Sequence, residues 1–186
     1  MCGLLGAFRP GMCVDGLKDI DLDDLRSRGI RALMLDLDNT ILPWQDTAVP
    51  ESSDRWVRRA KSLGFGVCIV SNTHNPKRLT RIASALGIPS VHRALKPRRR
   101  GFEQALRTVG CDPAAAAVVG DQILTDIVGG NLAGMFTILV RPMHPREFIG
   151  TKLSRIVERL VLAVLRRADR VGTNTCCDQS EDQDSR

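Results

Sequence analysis

The stretch LMLDLDNTILPW, at residues 33–44, places two aspartates directly behind a run of apolar side chains. A continuous apolar run of this length is typical of a strand buried in a sheet. Removing an unpaired carboxylate from water is costly in free energy, so Asp36 and Asp38 are expected at the strand end. Residues two apart on an extended backbone point the same way, so both carboxylates can face one crevice. The stretch predicts a buried strand that delivers two acids to a polar site.

The composition predicts a basic globular protein. The chain has 186 residues, enough for one domain and a tail, and 43% of them are hydrophobic, enough for a packed core. The formal net charge is +6, and the last fifteen residues carry four acids and one base, so residues 1–171 carry +9. This charge favours an anionic partner, such as a phosphate ester, a membrane or a nucleic acid; solubility is the alternative reason for it.

The cysteines and the apolar runs suggest where the protein works. The six cysteines form no C-x-x-C pair and no zinc-site spacing, and Cys68 lies in an apolar run as expected of a buried thiol. The first residues are too broken by Gly and Pro for a signal peptide, and no run approaches the roughly 18 apolar residues of a membrane span. We expect a cytoplasmic protein, with a peripheral position at the membrane surface as the alternative.

Strand-like and helix-like segments alternate along the chain. Strands are predicted at 31–37, 65–71, 90–94, 115–121 and 136–140, and helices at 51–64, 75–87, 100–110 and 123–134. Repeated β-α units predict a parallel sheet, and runs that are apolar throughout predict helices on both faces. The expected fold class is therefore α/β with a Rossmann-like sheet.

Four segments are predicted along the chain. A lead-in at 1–30, which holds a short helix, precedes a core at 31–145. An amphipathic helix at 146–171 and a disordered acidic tail at 172–186 follow the core.

Polar side chains follow the predicted strands and fall at one edge of the sheet. They are Asp36, Asp38, Ser71, Asn72, Lys96 and Asp121. Ligands bind at the carboxyl ends of the strands in open parallel sheets, so this edge is the expected site. Three carboxylates gathered there would repel one another, and a hard divalent cation such as Mg²⁺ is the usual compensation.

The remaining groups at this edge suit a phosphate. Lys96 suits either a phosphate or the orientation of an aspartate, and Ser71 and Asn72 offer hydrogen-bond donors to phosphoryl oxygens. Together with carboxylates and Mg²⁺, these groups are typical of phosphoryl transfer.

The two neighbouring acids can do different work. A carboxylate at the strand end can attack phosphorus, and a second carboxyl can protonate the leaving oxygen and later activate water. Thr40 is expected to hydrogen-bond Asp38 and hold it off the metal. Asp126 is expected near the metal, although capping of the following helix is an alternative for it. His74 is expected in solvent.

These residues resemble a known superfamily. The motifs are D-L-D-N-T at 36–40, S-N at 71–72, K-P at 96–97 and G-D-x-x-x-x-D at 120–126. In type and order they resemble the four motifs of the haloacid dehalogenase (HAD) phosphatases. The runs DLDNTI-x-PW, K-P-x-R-R-G-F and GDQILTDIVGGNLAG resemble the YqeG group of HAD-IIIA phosphatases. That group is similar to the mitochondrial and plastid phosphatases that act on phosphatidylglycerophosphate.

The resemblance implies a role for each matching residue. Asp36 would be the nucleophile and Asp38 the general acid and base, while Ser71 and Lys96 would contact the phosphoryl group. The implied Mg²⁺ set is Asp36, the backbone carbonyl of Asp38, Asp121 and, through the water shell of the metal, Asp126.

The spacing of the site residues leaves no room for a cap domain. Intervals of 35, 25 and 25 residues separate Asp36, Ser71, Lys96 and Asp121, and the linking helices fill them. An uncapped crevice would admit large or surface-bound substrates. The loop at 42–50 is the expected flap.

Two basic segments lie outside these motifs. Arg98, Arg99 and Arg100 follow Lys96 and are expected to contact an anionic substrate or surface, although a solvated helix start is the alternative. Apolar residues recur at helical spacing at 146–167 with basic residues between them, so this helix either lies in a membrane interface or packs on the domain.

The site residues thus predict a Mg²⁺-dependent phosphomonoester hydrolase that forms an aspartyl-phosphate. The resemblance, together with the uncapped crevice and the basic surroundings, implies phosphatidylglycerophosphate as its substrate. A phosphatase for a soluble nucleotide or sugar phosphate is the first alternative. The second is a ribosome- or RNA-binding protein with a vestigial site, but the chain has no Tyr and five Phe, too few for an aromatic-interleaved RNA surface.

Overall fold

A parallel sheet organises the fold. A computed structural model describes residues 4–143, so the predicted segments at 146–171 and 172–186 lie outside the described residues. The strands are β1 (Met12–Val14), β2 (Ala32–Leu35), β3 (Gly66–Val70), β4 (Ser90–Val91), β5 (Ala116–Gly120) and β6 (Phe136–Val140). All pairs are parallel, in the order β1-β6-β5-β2-β3-β4, so β2 lies near the middle of the sheet.

The helices fall between the strands. They are α1 (Leu22–Ser27), α2 (Glu51–Ser62), α3 (Pro76–Leu86), α4 (Arg99–Val109) and α5 (Val128–Leu132), and a π-helical turn at Ile123–Ile127 precedes α5. The side chain of Asn75 accepts a hydrogen bond from the Arg78 amide at the start of α3. Gly87 ends that helix with φ of 61°, a left-handed conformation that glycine adopts without strain.

Successive residues of the central strands face two separate apolar cores. Leu33 and Leu35 of β2 face the core that contains Trp56 of α2 and Ile82 of α3. Ala32, Met34 and Cys68 belong to the other core, with Phe102, Ala105 and Leu106 of α4. Because both faces are covered, each central strand must be apolar along its whole length. The prediction of an α/β fold with a parallel sheet and helices on both faces is confirmed.

Strand β1 was not predicted. It lies in the lead-in segment, covers three residues and pairs with β6 at the edge of the sheet. Its residues are half-buried or exposed, so it lacks the continuous apolar run that marks the inner strands. The predicted short helix of this segment is present as α1.

Two further expectations concern burial and membranes. The Cys68 side chain is fully buried, and burial raises the pKa of its thiol to about 12, so it packs as an apolar group. Within residues 4–143, no helix combines the length and the apolar character that crossing a bilayer requires.

Candidate active site

The chain turns sharply just after β2, and this turn presents the two neighbouring acids. The Asp36 amide still donates to the Val119 carbonyl of β5 at 2.9 Å, so Asp36 is held in line with the sheet. Asn39 then adopts φ of 61°, and its amide donates to the Leu42 carbonyl at 2.8 Å, which closes the turn. Asp36 and Asp38 both line one crevice, as predicted from their spacing, while Leu37 between them is buried in the core.

Lys96 joins two of the predicted site carboxylates. Its ammonium donates to Asp36 at 2.5 Å and to Asp126 at 2.6 Å. The three side chains are 3%, 10% and 1% exposed, so these ion pairs are almost shielded from water. Charge-assisted hydrogen bonds in such surroundings fix geometry strongly. Of the two roles predicted for Lys96, the structure therefore supports the one in which it orients an aspartate.

Asp121 completes an acidic cluster at the end of β5. Oxygen atoms of Asp36, Asp121 and Asp126 lie within 4.8 Å of one another, and all three residues are buried. The π-helical turn directs Asp126 back toward the strand, where its second oxygen accepts from the Gln122 amide at 3.2 Å. A side chain at Gly120 would overlap the carboxylate of Asp126, so glycine is required there for the cluster to form.

The electrostatic balance of this cluster favours a divalent cation. Three carboxylates face one ammonium, which leaves two negative charges when all are ionised. Burial raises the pKa of the Asp36 carboxyl to about 7, because the attraction of Lys96 offsets only part of the desolvation and Asp126 adds repulsion. Burial acts to lower the pKa of Lys96, but Asp126 and Asp36 outweigh it and leave that pKa above its ordinary value. Three close carboxylate donors with two surplus charges fit Mg²⁺.

The carboxylate of Asp38 takes a different partner from the one predicted. Arg78 of α3 donates to it at 2.8 Å. Among the described residues the Thr40 hydroxyl has no hydrogen-bond partner, so the expected Thr40–Asp38 bond does not form. The buried cluster of three acids does not include the Asp38 carboxylate, so only its backbone carbonyl stays a predicted metal ligand. Arg78 was not predicted as a site residue. It lies in the first turn of a helix, where arginines usually face solvent, and no sequence pattern distinguishes one that faces inward.

Ser71 and Asn72 lie in the crevice as predicted, with more specific contacts. The Ser71 hydroxyl accepts from the Thr73 amide at 3.1 Å, which keeps its own proton available for donation. The Asn72 side-chain oxygen accepts from the Lys96 amide at 2.9 Å, and its side-chain nitrogen donates to the Lys96 carbonyl at 3.1 Å. The Asn72 side chain therefore positions the lysine, and its predicted contact with phosphate stays a prediction.

The flap and the remaining basic residues occupy different parts of the edge. Trp44, Gln45 and Thr47 of the loop at 42–50 line the crevice, which has a volume of about 1090 Å³ and opens to solvent. His74 lines the same crevice and is exposed, as expected. The arginines at 98–100 are exposed at the start of α4 and do not line the crevice, so their contact with an anionic partner stays a prediction.

Comparison with known proteins identifies the family. A family profile described as HAD-hydrolase-like matches residues 94–142, which include Lys96, Asp121 and Asp126. Over 160 residues the chain is 35% identical to the Bacillus subtilis (strain 168) protein named "Probable phosphatase YqeG", covering 86% of this chain and 92% of that protein. The chain belongs to the YqeG family of HAD phosphatases.

Two further proteins resemble this chain, one in sequence and one in fold. This HAD phosphatase is 30% identical over 171 residues to "Phosphatidylglycerophosphate phosphatase 1, chloroplastic/mitochondrial" of Arabidopsis thaliana. That match covers 88% of this chain and 49% of the plant protein, so the chain spans about half of its relative. The crystal structure of an uncharacterized protein from Listeria monocytogenes serotype 4b has a TM-score of 0.53 at 19% identity. The match covers 64% of this chain and 85% of the Listeria protein, and the two share the fold.

Proposed function

We propose that this HAD phosphatase hydrolyses phosphomonoesters with Mg²⁺ through an aspartyl-phosphate at Asp36, and that its substrate is phosphatidylglycerophosphate at an anionic lipid surface. The observation that carries the chemistry is the buried ion-pair system in which Lys96 holds Asp36 within reach of Asp121 and Asp126. This arrangement fixes a carboxylate at the end of a strand, inside an open crevice.

The reaction has two steps. An oxygen of Asp36 attacks phosphorus while the bond from phosphorus to the alcohol oxygen breaks, and Asp38 in its acid form gives that oxygen a proton. Asp38, now a carboxylate, takes a proton from water as the water oxygen attacks the aspartyl-phosphate. The bond between phosphorus and the Asp36 oxygen then breaks, which releases inorganic phosphate and restores both acids.

The neighbouring groups hold the reacting phosphoryl group. The Ser71 hydroxyl, which lines the crevice with Asp36, and the ammonium of Lys96, which donates to Asp36, are placed to donate to its oxygens. Mg²⁺ would be held by Asp36, the backbone carbonyl of Asp38, Asp121 and, through its water shell, Asp126, and when bound it would neutralise charge on the phosphoryl oxygens. In its absence Lys96 keeps the Asp36 oxygen oriented.

The relatives and the crevice support a lipid substrate. The Arabidopsis relative is named for phosphatidylglycerophosphate, and the crevice lacks a cap domain over its mouth within residues 4–143. Leu95 is 58% exposed at the same edge of the sheet, with φ of 55°. Exposed arginines flank it at positions 93 and 98–100. An exposed apolar side chain among cations suits the surface of an anionic membrane.

A first experiment tests the chemistry. The purified protein should release phosphate from phosphomonoesters in the presence of Mg²⁺, and Asp36→Asn should reduce the rate by about 1,000-fold or more, because the nucleophile is lost. Acid-quenched wild type should yield a phosphorylated peptide that contains Asp36. Asp112→Asn, an exposed acid outside the crevice, is the matched control and should leave the rate unchanged. An Asp36→Asn variant as active as wild type would refute the assignment.

A second experiment tests the substrate. Phosphatidylglycerophosphate in anionic liposomes should be hydrolysed with a higher kcat/KM than a panel of nucleotide and sugar phosphates. Leu95→Ser and Arg99→Gln should weaken liposome binding and spare hydrolysis of a soluble ester. Efficient turnover of one soluble ester, with poor turnover of the lipid at low salt, would instead support a soluble substrate. Salt-sensitive RNA binding without phosphatase activity would support the RNA-binding alternative.

A further inference from the structure

Arg78 connects the first turn of α3 to two parts of the catalytic edge. One guanidinium N–H donates to Asp38 at 2.8 Å, and another donates to the backbone carbonyl of Asp46, in the flap loop, also at 2.8 Å. The side chain is 10% exposed, whereas Pro76 and Lys77 just before it are exposed. Arg78 is therefore a built part of the crevice wall.

The position of Arg78 is set by its own helix. The Asn75 side chain accepts from the Arg78 amide at 3.0 Å, so the backbone at this residue is fixed at the start of α3. Arg78 lines the crevice together with Asp36 and Ser71, which flank the reacting phosphorus in the proposed reaction. Two of its five N–H groups make the contacts to Asp38 and Asp46, and the planar guanidinium offers the rest in a fork suited to a phosphate.

The charges of the crevice are divided. Asp36 lines the crevice, and oxygens of Asp121 and Asp126 lie within 4.8 Å of its carboxylate; we call this buried acidic cluster around Lys96 the floor. Arg78, which pairs with Asp38, and the exposed Lys77 line the α3 side of the crevice, which we call the wall. A phosphomonoester whose alcohol part carries a second anion would place its reacting phosphate on the floor and the second anion near this wall. The volume of about 1090 Å³ leaves room for both groups.

We propose that Arg78 is a specificity-determining residue that binds a second anionic group, such as a phosphate, on the alcohol part of the substrate. This inference rests on the proposed function and deepens it, because it concerns the same crevice. Binding would exchange part of the contact between Arg78 and Asp38 for a contact with the substrate. The pairing of Arg78 with the Asp46 carbonyl would then keep the flap loop beside the bound ester.

Two soluble esters with the same primary-alcohol leaving oxygen isolate this effect. Glycerol 1,3-bisphosphate carries the second phosphate and glycerol 3-phosphate lacks it. The wild type should prefer the bisphosphate in kcat/KM. In Arg78→Gln the kcat/KM for the bisphosphate should fall by about 10–100-fold, because one charge-assisted hydrogen bond or a bidentate pair to the second phosphate is lost. The rate for the monophosphate should fall by much less.

Two further variants distinguish recognition from positioning. Arg78→Lys should recover part of the preference, because it keeps the charge and loses the fork. Arg81→Gln, one turn further along α3, lies outside the crevice and should leave the preference intact. An equal loss on both esters in Arg78→Gln, or no preference in wild type, would overturn the inference. Neither result bears on Asp36, whose role is refuted only by an active Asp36→Asn variant.

Discussion

The floor and the α3 wall of the catalytic crevice are held in place by different means. On the floor, Asp36 and Asp126 are almost fully buried and share one lysine, whose own backbone is held by Asn72. On the wall, Arg78 is also only 10% exposed, but the Asp38 carboxylate that it pairs with is 25% exposed and the neighbouring Lys77 is exposed. A buried charge that loses its partner is costly, whereas an exposed one is resolvated. We therefore expect substitutions on the floor to affect both folding and chemistry, and substitutions on the wall to affect mainly recognition.

The largest effect is expected for Lys96→Met, which leaves buried acids without their cation. The free energy of unfolding, measured by urea titration with a chelator at pH 8, should fall by about 3–5 kcal/mol. Phosphatase activity should be lost. Lys77→Met is the matched control on the wall and should change stability by less than about 0.5 kcal/mol. Similar losses in both variants would show that floor and wall do not differ.

Gly120→Ala tests how closely the floor is packed. The added methyl group would overlap the Asp126 carboxylate, which must then leave Lys96 and the Gln122 amide. Stability should fall by about 1–3 kcal/mol, and the Mg²⁺ concentration needed for half-maximal activity should rise. In Gly16→Ala the added methyl group would make an ordinary van der Waals contact with the Asp19 carboxylate at 3.5 Å, and the backbone there is extended, so this variant should behave as wild type. Unchanged Mg²⁺ dependence in Gly120→Ala would contradict the inference that Asp126, packed against Gly120, helps to hold Mg²⁺.

The titration of Asp36 gives the floor a pH dependence. The pKa of Asp36 in the folded, metal-free protein is raised from 3.8 to about 7, so folding favours its protonated form. That contribution to stability is fully present below about pH 4 and is lost as pH rises through about 7. Metal-free Asp36→Asn should therefore lose less stability between pH 5 and 8 than wild type, with a difference on the order of 1–3 kcal/mol. Parallel profiles for the two proteins would show that Asp36 is not protonated on folding.

The smallest effects should separate two asparagines of one loop. Asn72 supports the floor through the backbone of Lys96, so Asn72→Ala should lower kcat by about 10-fold. Asn75 supports the wall as the cap of α3, so Asn75→Ala should cost about 1 kcal/mol of stability with little change in kcat. Steady-state kinetics and thermal unfolding measure both. The opposite pattern would reverse the roles of the two residues.

Several features of the fold and site could be predicted from the sequence. The apolar runs predict β2, β3, β5 and β6 because a strand covered on both faces must be apolar throughout. The shared location of the acids after β2 and β5 could be predicted because the carboxyl ends of parallel strands lie at one edge of the sheet. Strand β1 was missed because an edge strand of three residues needs no continuous apolar run.

By itself, the sequence determined which chemical groups meet at the edge, since strand order and direction carry Asp36, Ser71, Lys96 and Asp121 there together. The tertiary structure alone decided how those groups pair. Lys96 is shared between Asp36 and Asp126, Asn72 binds the backbone of Lys96, and Asp38 pairs with Arg78 where Thr40 was expected. These partners are 24 to 60 residues apart in the chain, and no local pattern encodes them. Pairing inside a crevice depends on distances of a few ångströms between side chains, and only the packed core sets those distances.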